Sequence, residues 1–373
     1  MAKLALLLLL GSCAGLFGAQ ARAQEPFPGE PAQLPPQQQQ QLPPQEQQPA
    51  EAPQAAPQPL PDPGTTIRVN TNIVLVPTLV EKPSGEVIYG LNSRDFTLDD
   101  NGVQQNIHVD DDLDSQPVSI VVAVQRGRSA ALEFDKIAKL GTLLQLFLGD
   151  GHGKAALVVF DSHATYLEGF TSDTETITRD LQRLQPGDGG AAILDAVGTS
   201  VDILEQRPPD QRRILLLISE SRDHGSHKVT AKQLVQRIGT SNTLVIGLTY
   251  SPSKATLLDD LRGSAHGDPV GNTGDLLAPL MMAIAAVHKN VSKELAVMSG
   301  GEYASFTREK GFEDRIAEVA SHARNRYILS FHPKDLTPGL HQISVKLNQD
   351  YGARVVARTS YWAVNDAAAP QPQ

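Results

Sequence analysis

Hydrophobic positions change their period along the chain, and the changes mark out its parts. From Val118 to Val124 the residues run apolar or small without alternation, the pattern of a parallel strand covered on both faces. A polar stretch follows, Gln125-Arg126-Gly127-Arg128-Ser129. Ala130 to Leu148 then carries Ile137, Leu140, Leu144 and Phe147, and their spacing predicts a helix. Strand, polar loop and helix in that order place the loop at the carboxyl edge of a sheet, where open α/β folds bind ligands. Ala155 to Phe160, Arg213 to Ser219 and Thr243 to Leu248 read as further buried strands, Ala164 to Phe170 as an antiparallel edge strand, and Gly301 to Phe306 as a last strand. Helices are predicted over Thr174 to Leu184, capped by Ser172 or Asp173, and over Ala191 to Leu204, Val229 to Ile238, Leu276 to Met298 and Gly311 to Arg326. Alternating strands and helices predict an α/β domain with a mainly parallel, doubly wound sheet over residues 115–326.

On either side the pattern is strand-like. Upstream, Ile67-Arg68-Val69, Ile73 to Val80 and Glu86 to Tyr89 read as strands, with a turn at Lys82-Pro83-Ser84-Gly85. Asn101-Gly102, between Phe96-Thr97-Leu98 and a return strand at Ile107-His108-Val109, predicts a hairpin, because both central positions of a type I′ turn need positive φ. Downstream, Tyr327 to Phe331, His341 to Leu347 and Arg354 to Tyr361 read as strands, with a turn at Pro338-Gly339. Neither flank, 65–114 or 327–364, is large enough for a comfortable core of its own. One small β-sandwich built from both, with the α/β domain inserted in it, is the economical solution.

The first residues need a different reading. A lysine followed by the apolar run Leu4 to Leu10, with small residues at Ala21 and Ala23, predicts a secretory signal over 1–23 and a mature start at Gln24. The run is short of the roughly 18 to 20 residues a membrane span needs. The chain's one cysteine, Cys13, lies within this segment, so the mature chain would have no thiol. Leu10-Gly11-Ser12-Cys13 also resembles a lipoprotein box, set early for one. In that rival reading Cys13 is lipidated. Residues 24–64 hold half of the chain's 26 prolines and the run Gln37 to Gln41, too little apolar surface to offset ordering entropy, and are expected to be a disordered tether. The tail 365–373 is expected to be disordered too. A net charge of −10 without a basic stripe argues against nucleic acid and anionic lipid as partners.

The order of pieces, with QRGRS, GDGGAA and ISESRD at strand ends, resembles the von Willebrand factor type A domain. GLNSRDFTLDDNGVQQNI before it and RYILSFHPKDLTPGLHQISVKL with ARVVARTSYWA after it resemble the flanks of the von Willebrand A-related proteins of Acidobacteria. The resemblance implies a fold but no activity. It also implies a place for a metal-ion-dependent adhesion site: an Asp-x-Ser-x-Ser loop, a Thr from a second loop and an Asp after the fourth strand. A dication there needs hard oxygen ligands and negative charge. Here Gln125 stands for the first Asp, Gly127 for the first Ser, Ala191 for the Thr and Glu220 for the last Asp; only Ser129 is kept. Arg126 and Arg128 add positive charge beside the site, which disfavours a dication. A degenerate site is therefore expected, with no metal and no cofactor. Its rim, Gln125, Arg126, Arg128, Ser129, Asp188, Glu220 and Arg222, is the candidate partner-binding surface, with an arginine expected near Glu220.

Other chemistries fail on spacing. Gly149 to Lys154 has a phosphate-loop look but precedes a strand, so no helix amino terminus faces a phosphate. Asp223-His224-Gly225-Ser226-His227 offers zinc-type ligands without a further partner in sequence, and Asp110 to Asp114 lacks an EF-hand pattern. There is no Gly-x-Ser-x-Gly elbow. The reading is an exported, periplasmic or extracellular interaction or assembly module, not an enzyme, whose partner is an unidentified protein of the envelope or beyond. The alternative is a secreted enzyme with a site near the loop 249–275.

Overall fold

The computed structural model describes residues 73–110, 116–127, 130–149, 153–250, 277–306 and 309–364. The expected signal segment and tether, Ile67-Arg68-Val69, Asp111 to Asp114, Arg128, Ser129, most of the loop 249–275 and the tail lie outside the described residues.

The upstream flank forms β1 (Val74–Glu81), β2 (Phe96–Asp100), β3 (Val103–Gln104) and β4 (Ile107–Asp110). The central part follows with β5 (Val118–Gln125), three short helices α1 (Phe134–Ile137), α2 (Leu140–Leu143) and α3 (Gln145–Leu148), then β6 (Lys154–Phe160), β7 (Ala164–Thr171), α4 (Thr174–Gln182), α5 (Ile193–Glu205), β8 (Arg212–Ser219), α6 (Ala231–Thr240) and β9 (Thr243–Tyr250). After the undescribed stretch come α7 (Ala278–Lys289), α8 (Val291–Ser299), β10 (Tyr303–Phe306) and α9 (Glu309–Arg324). The downstream flank forms β11 (Tyr327–Phe331), β12 (Gly339–Leu347), β13 (Arg354–Ala357) and β14 (Ser360–Ala363).

The central sheet has the order β10-β9-β8-β5-β6-β7. It is parallel except for β7, which pairs antiparallel with β6 at the edge, as its sequence predicts. Every residue of β5 is buried. Its two faces feed different cores: Ile120, Val122 and Val124 pack with α1 to α4 and α9, and Val121 and Ala123 pack with α5, α6, α7 and α8. A period of two with both faces covered explains why the sequence shows no alternation there.

The two flanks share two further sheets, β13-β1-β11-β4 and β14-β12-β2-β3. Strand β1 pairs antiparallel with β11 and β13, and β12 with β2, so strands far apart in sequence lie side by side. Val76, Val80, Leu98, Leu329, Phe331 and Ile343 fill the space between the sheets.

Several local expectations are corrected. Asn101 (φ 48°) and Gly102 (φ 78°) do form the predicted turn. The return leg is β3, however, and Ile107-His108-Val109 belong to β4 in the opposite sheet, beside β11. Buried Gln105 ends the hairpin after two pairs: its main-chain N–H donates to the Leu98 carbonyl and its side chain to Val103 (both 2.9 Å). Glu86 to Tyr89 contributes only a single bridge, Val87 to Glu81. The long helix predicted after β5 is instead α1 to α3, although Ile137, Leu140, Leu144 and Phe147 still face the core. Gly141 accounts for part of this: it lowers helix propensity, and a Cβ there would lie 1.9 Å from Thr178 Oγ1 on α4. The helix predicted over Leu276 to Met298 is broken at Asn290 (φ −154°), whose side chain accepts from the Lys293 N–H at 3.0 Å and starts α8. The strand predicted over Arg354 to Tyr361 is two, in different sheets, and the break puts Arg358 inside the molecule.

Polar groups tie the central domain to the sandwich. Arg358 donates to the carbonyls of Ser360 (2.8 Å), Leu75 (3.0 Å) and Gly239 (2.6 Å). Arg326 donates to Glu302 (2.9 Å) and Arg354 to Glu81 (2.6 Å), while His322 lies between Glu302 (2.9 Å) and the Gly85 carbonyl (3.3 Å). Gly300 caps α8 at φ 79° against the sandwich, where a Cβ would meet Arg358 N at 2.5 Å and Pro77 O at 2.8 Å. Only glycine satisfies both demands.

Candidate functional site

Adjacent parallel strands β5 and β8 end level with one another, which brings Gln125 and Glu220 together at the carboxyl rim. They clasp each other. The Gln125 side chain donates from Nε2 to Glu220 Oε1 (3.1 Å), and its Oε1 accepts the Glu220 main-chain N–H (2.9 Å). His224 Nε2 meets the same Glu220 oxygen at 2.5 Å. Gln125 is wholly buried, so its amide is satisfied inside the protein.

Of the arginines expected near Glu220, Arg126 turns to another acid. Arg126 pairs with the buried carboxylate of Asp161, Nη2 to Oδ2 at 3.1 Å. Arg222 is exposed, and Arg128 and Ser129 lie outside the described residues. Asp188 is exposed and organises its own loop: Oδ1 accepts from the main-chain N–H groups of Ser162 (3.0 Å) and Gly190 (2.8 Å), and Oδ2 from the Ser162 hydroxyl. The Ser162 hydrogen bond, with the backbone donors, holds its carboxyl below the usual range. The structure therefore brings Gln125, Glu220 and His224 into one cluster, and Arg126, Asp161, Ser162 and Asp188 into another.

Two further acids organise this rim, and of them Asp195 carried no recognisable sequence signal. Asp195, on the first turn of α5, is buried and accepts from the N–H groups of His227 (3.1 Å), Lys228 (3.0 Å) and Val229 (2.8 Å). Asp223 returns the favour by accepting the Leu194 N–H (3.0 Å) and the Ser226 hydroxyl (2.5 Å). Ala191 and His224 exchange main-chain hydrogen bonds of 2.9 and 3.0 Å. The Asp223 to His227 segment, weighed as a zinc loop, is thus a latch on the start of α5. The latching acid at residue 195 is distant in sequence, so only the fold reveals it.

The donor set does not suit the dication that this rim geometry would otherwise hold. The position matched to the first Ser has no space for a side chain, because a Cβ on Gly127 would lie 2.6 Å from the Gly190 carbonyl oxygen. Ala191 offers only a buried methyl. Beside it Asp161, His163 and Asp188 place ligand-type atoms within 4.8 Å of one another, but the Asp161 oxygens already receive Arg126 and the His163 N–H (3.1 Å), and those of Asp188 receive Ser162 and Gly190. A similar grouping at the seam, Glu81, Glu302 and His322, has arginines on both carboxylates.

Residues 126–223 match the family model of the von Willebrand factor type A domain. The central sheet and its helices have the fold of that domain. Among solved structures the chain is similar to an aerotolerance-related membrane protein from Bacteroides fragilis, at 17% identity over 55% of this chain and 98% of that one, with a TM-score of 0.38. It is similar to the conserved hypothetical protein BatB from Bacteroides thetaiotaomicron, at 15% identity over 55% and 98% with a TM-score of 0.38. A von Willebrand factor type A protein from Catenulispora acidiphila is 10% identical over 74% of each chain, with a TM-score of 0.39. No curated protein matches the chain. The carboxyl rim of this sheet carries an internally hydrogen-bonded cluster of amide, carboxylate and imidazole.

Proposed function

We propose that this chain is an exported interaction or assembly module that binds a protein partner at the carboxyl rim of its type A domain without a metal ion. Type A domains are in general interaction modules rather than enzymes. The observation that carries the metal-independent reading is the reciprocal clasp of Gln125 and Glu220. It uses the carboxylate and the adjacent amide that a cation would need, and His224 occupies the same carboxylate oxygen. The rim that remains for a partner is formed by Arg126, Asp188, Glu220 and exposed Arg222, together with the neighbouring Arg128 and Ser129. The strands of both flanks, and the sequence motifs in them, support placing the chain with the von Willebrand A-related proteins of Acidobacteria.

Export rests on the signal pattern of residues 1–23, with cleavage after Ala23 favoured over lipidation at Cys13. The destination is then periplasmic or extracellular. No helix among the described residues is long and apolar enough to cross a membrane. The alternative, an enzyme with a site near the loop 249–275, falls almost wholly outside the described residues.

The test is cross-linking capture from the native envelope with the full mature chain. Partner capture persists in a chelator and falls by about tenfold on Arg222→Glu, as reversing a rim charge slows encounter. Capture abolished by the chelator, or indifferent to every charge reversal on the rim, contradicts the reading.

A further inference from the structure

Helices α7 and α8 of the central domain and strand β12 of the sandwich enclose a groove of about 430 Å³, within the range of ~300–1,000 Å³ usual for small-molecule sites. Met282, Ala283 and Ala286 of α7, Met298 of α8, Leu340 of β12 and Val355 of β13 make most of its wall apolar. The α7 side is open to solvent, with Met281 and Met282 both exposed on a helix that carries no charged side chain before its last turn. Methionine adapts its shape to what packs on it, which suits a wall that receives a ligand.

Glu294, Lys346 and Arg358 are the charged residues that line the groove, and their situations differ. The Arg358 guanidinium is committed to main-chain carbonyls on β1, β14 and α6. Lys346 is exposed. Glu294 is half-buried, and its carboxylate has neither a hydrogen bond nor an ion pair among the described residues. Burial raises this carboxyl above its ordinary value, and the charge of Lys293, next to it in α8, takes back only part of that. Ser360 adds a second unanswered group in the wall: the residue is 6% exposed, and its hydroxyl has no hydrogen-bond partner among the described residues. Leaving such groups unpaired is costly. A few polar groups converging in a mostly apolar cleft, at a junction between domains, are the usual make-up of a small-molecule site.

We propose that this groove binds a small organic ammonium ion, its cation on Glu294 and its compact apolar body against the methionine and alanine wall. An ammonium supplies both the N–H donors and the opposite charge that the carboxylate lacks, and such bonds are among the strong ones. A hydroxyl or carbonyl on the ligand would answer Ser360 as well. The site does not depend on the reading of the carboxyl rim.

Calorimetric titration of the full mature chain at neutral pH and constant ionic strength, with phenethylammonium as probe, tests it. The probe binds saturably. Phenylethanol, its neutral counterpart, binds more weakly by at least about tenfold, the usual scale for a charge-assisted bond. Methylammonium also binds more weakly, because it leaves the apolar wall uncovered. Glu294→Gln keeps the shape and weakens the probe by at least about tenfold. The melting temperature of this variant without ligand is no lower than the parent's, since the substitution removes a desolvated charge, so its loss of binding is not a loss of folding. No saturable binding of the probe would mean that Glu294 is answered from within the chain, and would overturn the proposal. Equal affinities for the probe and phenylethanol, or for the probe and methylammonium, would overturn it too, as would unchanged binding or a lowered melting temperature in Glu294→Gln.

Discussion

Replacing His341 with leucine lowers the stability of the chain by about 3–5 kcal/mol and lessens a pH dependence that the parent shows. His341 is buried in the sandwich with both ring nitrogens facing acceptors. Nδ1 lies 2.9 Å from Asp100 Oδ1 and Nε2 lies 2.7 Å from the Thr337 carbonyl. Tyr361 completes the cluster by donating to the other Asp100 oxygen at 2.8 Å. Only the imidazolium can donate in both directions at once. Burial alone would pull the imidazole down, but the hydrogen bond to Asp100, the Thr337 carbonyl and the charges of Asp100 and Asp335 outweigh it, so its pKa is raised. Burial, then the charge of Asp100, pushes the Tyr361 phenol upward, so it stays a donor. Leucine leaves the buried Asp100 carboxylate without its cation, which sets the scale of the loss.

The sign of the pH effect follows from the raised value. The stabilisation is complete below the unfolded histidine pKa of about 6.5 and is lost as pH rises through the higher folded value. His322 acts in the same sense: burial lowers it, but Glu302 and Glu81 with the Gly85 carbonyl raise it overall. Denaturant titrations from about pH 5 to about pH 9 therefore show stability falling toward the alkaline side, and a shallower fall in the leucine variant. A parent whose stability is flat across that window contradicts the assignment of His341 as an imidazolium.

The second large effect is at Arg358. Its guanidinium joins three parts of the molecule: β1 through Leu75, the start of β14 through Ser360, and the last carbonyls of α6 through Ile238 (3.4 Å) and Gly239 (2.6 Å). A cation at a helix carboxyl end is favoured by the helix dipole. Arg358→Met keeps most of the volume but leaves those carbonyls buried and unmatched, at about 1–3 kcal/mol for each group. Removing a desolvated charge returns part of that, so the net loss is about 3 kcal/mol. Trp362, the one tryptophan of the chain, packs where a Cβ on Gly239 would meet its backbone N at 2.8 Å, so its fluorescence reports this seam. The midpoint of denaturant unfolding followed at Trp362 falls in the variant with the slope unchanged. An unaltered midpoint would show that the seam is held by other contacts.

The sequence made the central strands legible because each is a continuous apolar run bounded by polar loops, and Val118 to Val124 needs no tertiary information to be recognised. The antiparallel edge strand and the type I′ turn at Asn101-Gly102 were legible for equally local reasons. What local pattern could not show was partnership. Ile107-His108-Val109 pairs with β11 rather than with its neighbour β2, since the choice lies with a strand more than two hundred residues away. The break at Arg358 is invisible in a run of strand-forming residues, because what bends the chain there is a set of carbonyls from other elements. At the rim, the substitutions at Gln125, Gly127, Ala191 and Glu220 could be read from motif positions alone. Their consequence could not: Arg126 turned to Asp161, and Glu220 met the Gln125 amide and His224, placed four residues on by the latch that Asp195 and Asp223 build.

The central claim is that this rim is closed to metal by its own side chains. Binding to the folded state alone raises the melting temperature by mass action, so the direct test is the melting temperature of the full mature chain with and without Mg²⁺, Mn²⁺ or Ca²⁺ in excess, repeated on Glu220→Ala. The account predicts that the parent's melting temperature is the same with each ion as without it. A rise with any of the three ions that Glu220→Ala abolishes would contradict it.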